Sequence, residues 1–134
     1  MRVMLDTNIL VSAFVFRSKQ IYAVIDYIVL NHELLLPSYV INELKDVVNR
    51  KFPKLAGNVD EFLATLSFTL VHTPRNMQSG LFRIRDISDA PILYTAIIKD
   101  ADILITGDKD FSDICIKRPV IMTASGFKKS YMIQ

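Results

Sequence analysis

Four acidic residues occupy positions from which a carboxylate could take part in chemistry. Asp6 directly follows a short apolar run, and Asp108 follows another by way of a Thr-Gly pair. Asp89 precedes Ala-Pro at the start of a helical pattern, and Glu43 lies among the apolar positions of a different helical pattern. Carboxylates that are held together repel one another unless a cation neutralises them. If folding brings these four residues together, they predict a metal site.

The donors in this set are all oxygen atoms, which favours Mg²⁺ or Mn²⁺ over zinc as the cofactor. The two histidines, His32 and His72, lack ligand-like spacing and are expected in structural or surface roles. A bound divalent cation can lower the pKa of a water molecule to make a nucleophile, and it can neutralise charge that develops on a phosphodiester. The chemistry that suits these acids best is therefore phosphodiester hydrolysis.

Each acid also has an ordinary structural explanation. Asp89 is a good N-cap residue, and Asp6 with Asn8 could form an Asx turn at the end of a strand. Asp108 lies in a Thr-Gly-Asp-Lys turn, where aspartate is common. Glu43 could be a solvent-facing position of an amphipathic helix. It is the convergence of all four at one place that would distinguish a site from four separate structural roles.

Alternating strand and helix patterns predict the elements that must position these acids. Short apolar, β-prone runs predict five strands, at residues 2–5, 33–36, 68–71, 103–106 and 120–122. Helical periodicity predicts helices at residues 19–31, at 38–49 with Ser38 as its cap, at 59–65, and from the Asp89-Ala90-Pro91 start signal onward.

This alternation predicts an α/β fold, a three-layer α/β/α sandwich around a central parallel sheet of about five strands. Function in such sheets collects at the carboxyl ends of the strands, where Asp6 and Asp108 stand. The helix that starts at Asp89 leads into the fourth predicted strand, so its N-terminus is expected at the same edge. Glu43, in the second turn of its helix, can point toward that edge as well.

Length and composition predict one domain spanning residues 1–134, of which 51% are hydrophobic. No apolar run approaches the roughly 18 residues of a membrane span, and no secretory signal is recognisable, so a soluble, cytoplasmic protein is expected. The lone cysteine, Cys115, excludes an intramolecular disulfide. A net charge of +2 is too small to predict a polyanionic partner, although basic residues cluster at 50–54, at Arg83 and Arg85, and at Lys128 and Lys129.

Four segments, LDTNILVSAF, LPSYVINEL, RDISDAPILYTAI and ADILITGDKDF, together resemble the PIN-domain family. Within that family they look most like the small prokaryotic toxins of toxin–antitoxin systems, the VapC-like ribonucleases. The resemblance covers nearly the whole chain. It implies a PIN-like fold and a Mg²⁺- or Mn²⁺-dependent endoribonuclease that cleaves single-stranded or looped RNA.

The resemblance also assigns roles to residues. The four family acids fall on Asp6, Glu43, Asp89 and Asp108: the three aspartates would bind metal, and Glu43 would orient or deprotonate the attacking water. Supporting positions are Thr7, Asn8, Thr106, Asp86 and Asp110, of which Asp86 is an alternative to Asp89 as the third acid. Basic residues that could hold RNA phosphates are Arg50, Arg83, Arg85 and Lys109.

Family toxins pair with a small antitoxin and are usually homodimers. The helix predicted at residues 19–31 is apolar on more than one face, which either a dimer or full coverage within one chain would explain. Two other functions remain open at this point. One is a non-catalytic binding module of the same fold for RNA or protein, and the other is a HAD-like phosphatase, which would need a second aspartate where Asn8 stands.

Overall fold

The computed structural model describes residues 1–74, 90–107 and 116–132. Its strands are β1 (Arg2–Leu5), β2 (Glu33–Pro37), β3 (Thr69–Val71), β4 (Ile103–Ile105) and β5 (Val120–Met122). Its α-helices are α1 (Thr7–Phe14), α2 (Lys19–Asn31), α3 (Ser38–Lys51), α4 (Val59–Ala64), α5 (Ala90–Ile98) and α6 (Ala124–Tyr131), with a 3₁₀ segment at Pro53–Asn58. Within these ranges, no helix combines the length and the apolar character needed to cross a membrane.

The five strands form one parallel sheet in the order β3-β2-β1-β4-β5. In chain order, β2 and β3 are added on one side of β1, and β4 and β5 are then added on its other side. The topological switch point of the sheet therefore lies between the adjacent strands β1 and β4. Open α/β sheets form ligand-binding crevices at this point. The predicted α/β class with a five-stranded parallel sheet is confirmed.

Strand β1 lies at the centre of the sheet and is covered on both faces. Val3, Met4 and Leu5 are completely buried, as are Leu35 on β2 and Leu104 on β4. Neighbouring side chains of a strand point to opposite faces, so a strand that is apolar at every position must be covered by helices on both sides. This explains why the strands read as continuous apolar runs rather than as alternating patterns.

The edge where the strands begin is fixed by a charged network around Asp102. The Arg2 backbone N–H donates to Oδ2 of Asp102 at 2.7 Å, and Nη2 of Arg118 donates to Oδ1 at 2.7 Å. The hydrogen bond from Arg2 lowers the pKa of Asp102; burial opposes this, while the hydrogen bond and charge of Arg118 lower it further. The Arg2 guanidinium in turn bonds Oε1 of Glu33 and the carbonyl of Lys99, each at 2.9 Å. These contacts tie the starts of β1, β2 and β4 together.

Two helices, α1 and α6, were not predicted from the sequence. α1 starts immediately after β1 with no loop between them, because Asp6 is its N-cap. The expectation that Ser38 caps α3 is wrong: Pro37 holds the N-cap position, and Oγ of Ser38 accepts a hydrogen bond from the backbone N–H of Thr73 at 3.0 Å. A helix end and a neighbouring strand end are thereby joined.

Helix α6 packs along α2 and covers one of its apolar faces. The hydroxyl of Tyr27 on α2 donates to the backbone carbonyl of Tyr131 at 2.7 Å, and the rings of Tyr27 and Phe127 lie 6.1 Å apart. Phe127 is completely buried. The apolar character of α2 on this face is thus explained within a single chain and does not require a second copy.

Candidate active site

Asp6 lies at the carboxyl end of β1 and is almost completely buried, with 3% of its surface exposed. Its Oδ1 accepts the backbone N–H of Ile9 at 3.1 Å, the usual geometry of an N-cap carboxylate. The N-terminal end of a helix also carries a partial positive charge, which favours a carboxylate there. Asp6, for which the sequence left a metal ligand and an Asx turn as alternatives, is the N-cap residue of α1.

Thr106 holds the other oxygen of the same carboxylate. Leu5 pairs with Ile105 in the register of β1 and β4, so the residues that follow these two positions stand side by side. The hydroxyl of Thr106, which is 3% exposed, donates to Oδ2 of Asp6. The backbone confirms the alignment, since the Asp6 N–H donates to the Ile105 carbonyl at 3.2 Å. Both oxygens of Asp6 are thereby oriented, one by its own helix and one by the next strand.

Thr7 connects the site to Glu43 on α3. Its hydroxyl donates to Oε1 of Glu43, and Thr7 itself is 5% exposed. Glu43 is half-buried, next to the fully buried Leu44 in the same helix. Consecutive residues at the start of α1 therefore place two carboxylates at the same edge of the sheet, Asp6 directly and Glu43 by a hydrogen bond. The predicted orientation of Glu43 toward this edge agrees with that contact.

Helix α5 begins at the same edge and runs away from it. Its end lies at the opposite, strand-start edge, where Arg2 bonds the carbonyl of Lys99. A helix of nine residues rises about 13 Å, so Ala90, its first residue, lies toward the carboxyl ends of the strands. Asp89 precedes Ala90 in the sequence and Asp108 follows Gly107, but both acids, like the alternates Asp86 and Asp110, lie outside the described residues.

The donor set that is described fits a hard divalent cation only as part of a larger site. Asp6 and Glu43 supply oxygen donors, as Mg²⁺ and Mn²⁺ prefer. Residues 1–74, 90–107 and 116–132 contain no group of three or more histidine, cysteine, aspartate or glutamate side chains that could hold a metal ion. Two carboxylates at the edge are compatible with the predicted metal, and further ligands would have to come from the acids outside these ranges.

The other predicted site residues fall into two groups. Asn8 is exposed on the first turn of α1, and Arg50 is exposed near the end of α3, where its Nε is 3.0 Å from Oδ2 of Asp46. Arg50 is thus engaged in an ion pair along its own helix. Three predicted RNA contacts lie outside the described residues: Arg83, Arg85 and Lys109.

The two histidines lie at different edges of the sheet: His32 lies where the strands begin, and His72 lies where they end, two strands away from β1. His32 is the C-cap of α2, where its Nδ1 lies 3.1 Å from the N-terminal nitrogen; burial, and secondarily the positive N-terminus, lower its pKa. His72 is exposed just after β3. These positions agree with the structural and surface roles expected for them.

Sequence reasoning named Thr7 and Thr106 only through a family resemblance and missed what each side chain does. It also missed the N–H of Ile9 as a donor to the candidate ligand. The segment Asp-Thr-Asn-Ile-Leu carried the signal, because an aspartate followed by apolar residues three and four positions later is a helix N-terminus pattern.

Comparisons with known proteins agree with this architecture. A family model described as PIN domain matches residues 2–110. A chain of the VapBC2 structure from Rickettsia felis, bound to a DNA fragment from the promoter, superposes with a TM-score of 0.67 at 23% identity over 91% of this chain and 97% of that chain. Mycobacterium tuberculosis VapC20, described as a sarcin-ricin loop cleaving toxin, gives 0.59 at 13% identity over 82% and 92%. Identities this low show a shared fold, and no curated protein matches the chain significantly.

Proposed function

This chain belongs to the PIN-domain family, and from that premise we propose that it is a metal-dependent endoribonuclease that cleaves single-stranded or looped RNA. The observation that carries the proposal is the pairing at the start of α1. Asp6 is buried with both carboxylate oxygens oriented, and Thr7 beside it holds Glu43. Hydrogen bonds to both oxygens are what any buried carboxylate requires, but a helix cap does not require a second acid, and here Glu43 is held at the same edge through the neighbouring residue Thr7.

In this proposal, Asp6, Asp89 and Asp108 would hold Mg²⁺ or Mn²⁺. When bound, the cation would supply an activated water and neutralise charge on the phosphodiester. The protein's own part begins with orientation: the N–H of Ile9 and the hydroxyl of Thr106 fix the rotation of the Asp6 carboxylate. Both donors stabilise its negative charge in a buried position, which keeps an oxygen ligand in place before the substrate arrives.

Glu43 would act as the general base. Thr7 donates to its Oε1, which leaves Oε2 on the same carboxylate to accept a proton from the attacking water. The water oxygen would then form its bond to phosphorus while the bond to the leaving ribose oxygen breaks; that oxygen would leave with the electron pair and take up a proton from solvent, and Glu43 would release its proton to solvent. Because Thr7 directly follows Asp6 in the chain, its hydrogen bond would keep the general base close to the proposed metal ligand.

We also propose a biological setting, the toxin of a toxin–antitoxin pair with a cognate antitoxin as its protein partner. The structural likeness to a chain of the VapBC2 complex and to a sarcin-ricin loop cleaving toxin supports this assignment. A homodimer and a cytoplasmic location belong to the same proposal. Because α6 already covers one face of α2, the dimer interface of this proposal would lie elsewhere on the surface.

The proposal is tested by a cleavage assay on single-stranded and hairpin RNA with Mg²⁺, Mn²⁺ or EDTA. The wild-type protein should cut with either cation and stop in EDTA. Asp6→Asn should abolish cutting while the protein keeps its fold, because an asparagine can still accept the Ile9 N–H. Asp26→Asn, on an exposed face of α2, is the matched control and should cut normally. Full activity of Asp6→Asn would refute the metal assignment, and RNA binding without any cutting would point to a non-catalytic module instead.

A further inference from the structure

A basic groove runs between α2 and α6, and the proposed chemistry does not use it. It has a volume of about 460 Å³, and its lining consists of Gln20, Ser125, Lys128, Lys129 and Met132. The lining thus contains two cations and no carboxylate. Both lysines are exposed, and neither forms an ion pair with any described residue.

The groove begins at the edge of the sheet that carries Asp6. Thr106, which orients Asp6, also donates its backbone N–H to the carbonyl of Met122 at 2.9 Å, at the end of β5. Thr123 follows as the N-cap of α6, and Ser125 lies in the first turn. Neighbouring strands are about 4.8 Å apart, so the start of α6 lies roughly 10 Å from the end of β1 across the sheet.

From this start the groove extends along α6, with α2 contributing Gln20 to its lining. Nε2 of Gln20, in the first turn of α2, lies 3.5 Å from Oγ of Ser125, at the end of the groove nearest the site. Lys128 and Lys129 follow Ser125 by three and four positions, so they lie one helical turn, about 5 Å, farther from the site. The groove therefore carries two positive charges along the part that leads away from the catalytic edge.

We propose that this groove binds the phosphate backbone of the RNA segment that flanks the scissile bond, with Lys128 and Lys129 each contacting a phosphate. The inference rests on the proposed function. An endonuclease substrate continues on both sides of the cleaved phosphate, so its backbone must leave the site over neighbouring protein surface. Lysine binds phosphate as a point charge without a fixed geometry, which suits a flexible strand held independently of its sequence.

A second cavity among the described residues does not meet these requirements. It has a volume of about 470 Å³ and includes Phe14, Arg17, Tyr22, Glu61 and Phe62 in its lining. The carboxylate of Glu61 offsets the positive charge of Arg17, so this lining carries no net charge. Phe14 is the last residue of α1, at the opposite end of that helix from Asp6. Charge and position therefore both favour the groove between α2 and α6 as the route for RNA.

The test measures binding of a fluorescent single-stranded RNA oligonucleotide, in EDTA, to Asp6→Asn protein so that nothing is cut. The groove variant carries Lys128→Gln and Lys129→Gln. The control variant carries Lys99→Gln and Lys117→Gln, which remove the same charge at the strand-start edge. Each phosphate contact with a single strand contributes about 0.7 to the slope of log affinity against log salt. The groove variant should lose about 1.4 from that slope and bind at least about tenfold more weakly near 50 mM salt.

Cleavage kinetics on an otherwise wild-type background supply a second readout. Removal of contacts that are equal in the bound substrate and the transition state should raise KM and leave kcat nearly unchanged. Both lysines lie in the last turn of α6, where cations also stabilise the helix, so the melting temperature of each variant is recorded beside its affinity.

The outcomes separate this inference from the proposed function. Equal slopes for the groove and control variants, with normal cleavage by the wild type, would overturn the groove and leave the nuclease standing. A polyglutamate peptide provides a further comparison. If it binds more tightly than the RNA oligonucleotide, and if the groove variant loses peptide binding but keeps RNA binding, the inference is overturned and an acidic protein partner is indicated. If the wild-type protein neither binds nor cuts RNA, both proposals fail together.

Discussion

The hydroxyl of Thr106 provides the sharpest test of how the site is held together. Thr106→Val keeps the shape of the side chain and replaces the hydroxyl that donates to Oδ2 of Asp6 by a methyl group. A hydrogen bond to a charged group contributes about 1.5–3 kcal/mol to stability, more than a neutral one. Both residues are 3% exposed, so water cannot easily replace the lost donor. We therefore expect a loss of about 2–3 kcal/mol.

Thr95→Val is the matched control. Thr95 is completely buried as well, but its hydroxyl donates to the neutral carbonyl of Pro91 at 2.7 Å within α5. The same chemical change there should cost about 1 kcal/mol or less. For a chain of this length, 1 kcal/mol corresponds to roughly 3–4 °C in Tm. Thr106→Val should melt about 6–12 °C lower than the wild type and Thr95→Val about 3 °C lower.

The assay combines urea unfolding, thermal melting and a double-mutant cycle with Asp6→Asn. If the hydroxyl acts on the charged carboxylate, Thr106→Val should cost at least about 1 kcal/mol less in the Asp6→Asn background. Cleavage should fall for Thr106→Val and stay normal for Thr95→Val. Equal destabilisation by the two valine variants, together with a coupling energy below about 0.5 kcal/mol, would refute the argument that β4 orients Asp6.

Two further predictions follow from hydrogen bonds at the two edges of the sheet. Thr7→Val should reduce cleavage by about tenfold or more because Glu43 loses its orientation, whereas Thr7→Ser should restore most of the activity; equal rates for both variants would contradict the role of the hydroxyl. At the other edge, the pKa of Asp102 is lowered below its ordinary value of 3.8, so its ionised form stabilises the fold above that pH. This stabilisation should disappear as the pH falls through the folded-state pKa, and urea unfolding between about pH 5 and 2.5 should show a shallower dependence for Asp102→Asn than for wild type.

The sheet was predictable because its three inner strands, β2, β1 and β4, are buried on both faces. Continuous apolar runs between helical patterns leave few alternatives to a parallel sheet, and β1 and β5 have the predicted bounds. The two missed helices lacked a local signal of that strength. α1 begins without a loop after β1, so Asp6 read equally well as a turn residue. α6 is short and contains Gly126 and two lysines. It is stabilised by the burial of Phe127 against α2, a tertiary contact, rather than by a strong helix propensity of its residues.

The candidate site was predictable in outline and not in its contacts. The position of Asp6 followed from the rule that parallel strands end at one edge, and the orientation of Glu43 followed from helical spacing. The link between Thr7 and Glu43 depends on α1, which the sequence did not reveal, and the contact between Thr106 and Asp6 depends on the register of β1 with β4. Side-chain hydrogen bonds of this kind are set by tertiary packing, so no pattern within either segment could show them.

The hydrogen bond between Thr106 and Asp6 joins positions that are 100 residues apart. During synthesis the chain emerges from the ribosome with its N-terminus first, at about 5–20 residues per second, so Asp6 is exposed long before its partner on β4 exists. β1 occupies the centre of the sheet, and one of its two neighbours is β4, the fourth of the described strands in chain order. A nascent polypeptide that does not yet include Thr106 therefore cannot orient this carboxylate through β4, and the proposed activity against RNA requires synthesis at least to that residue.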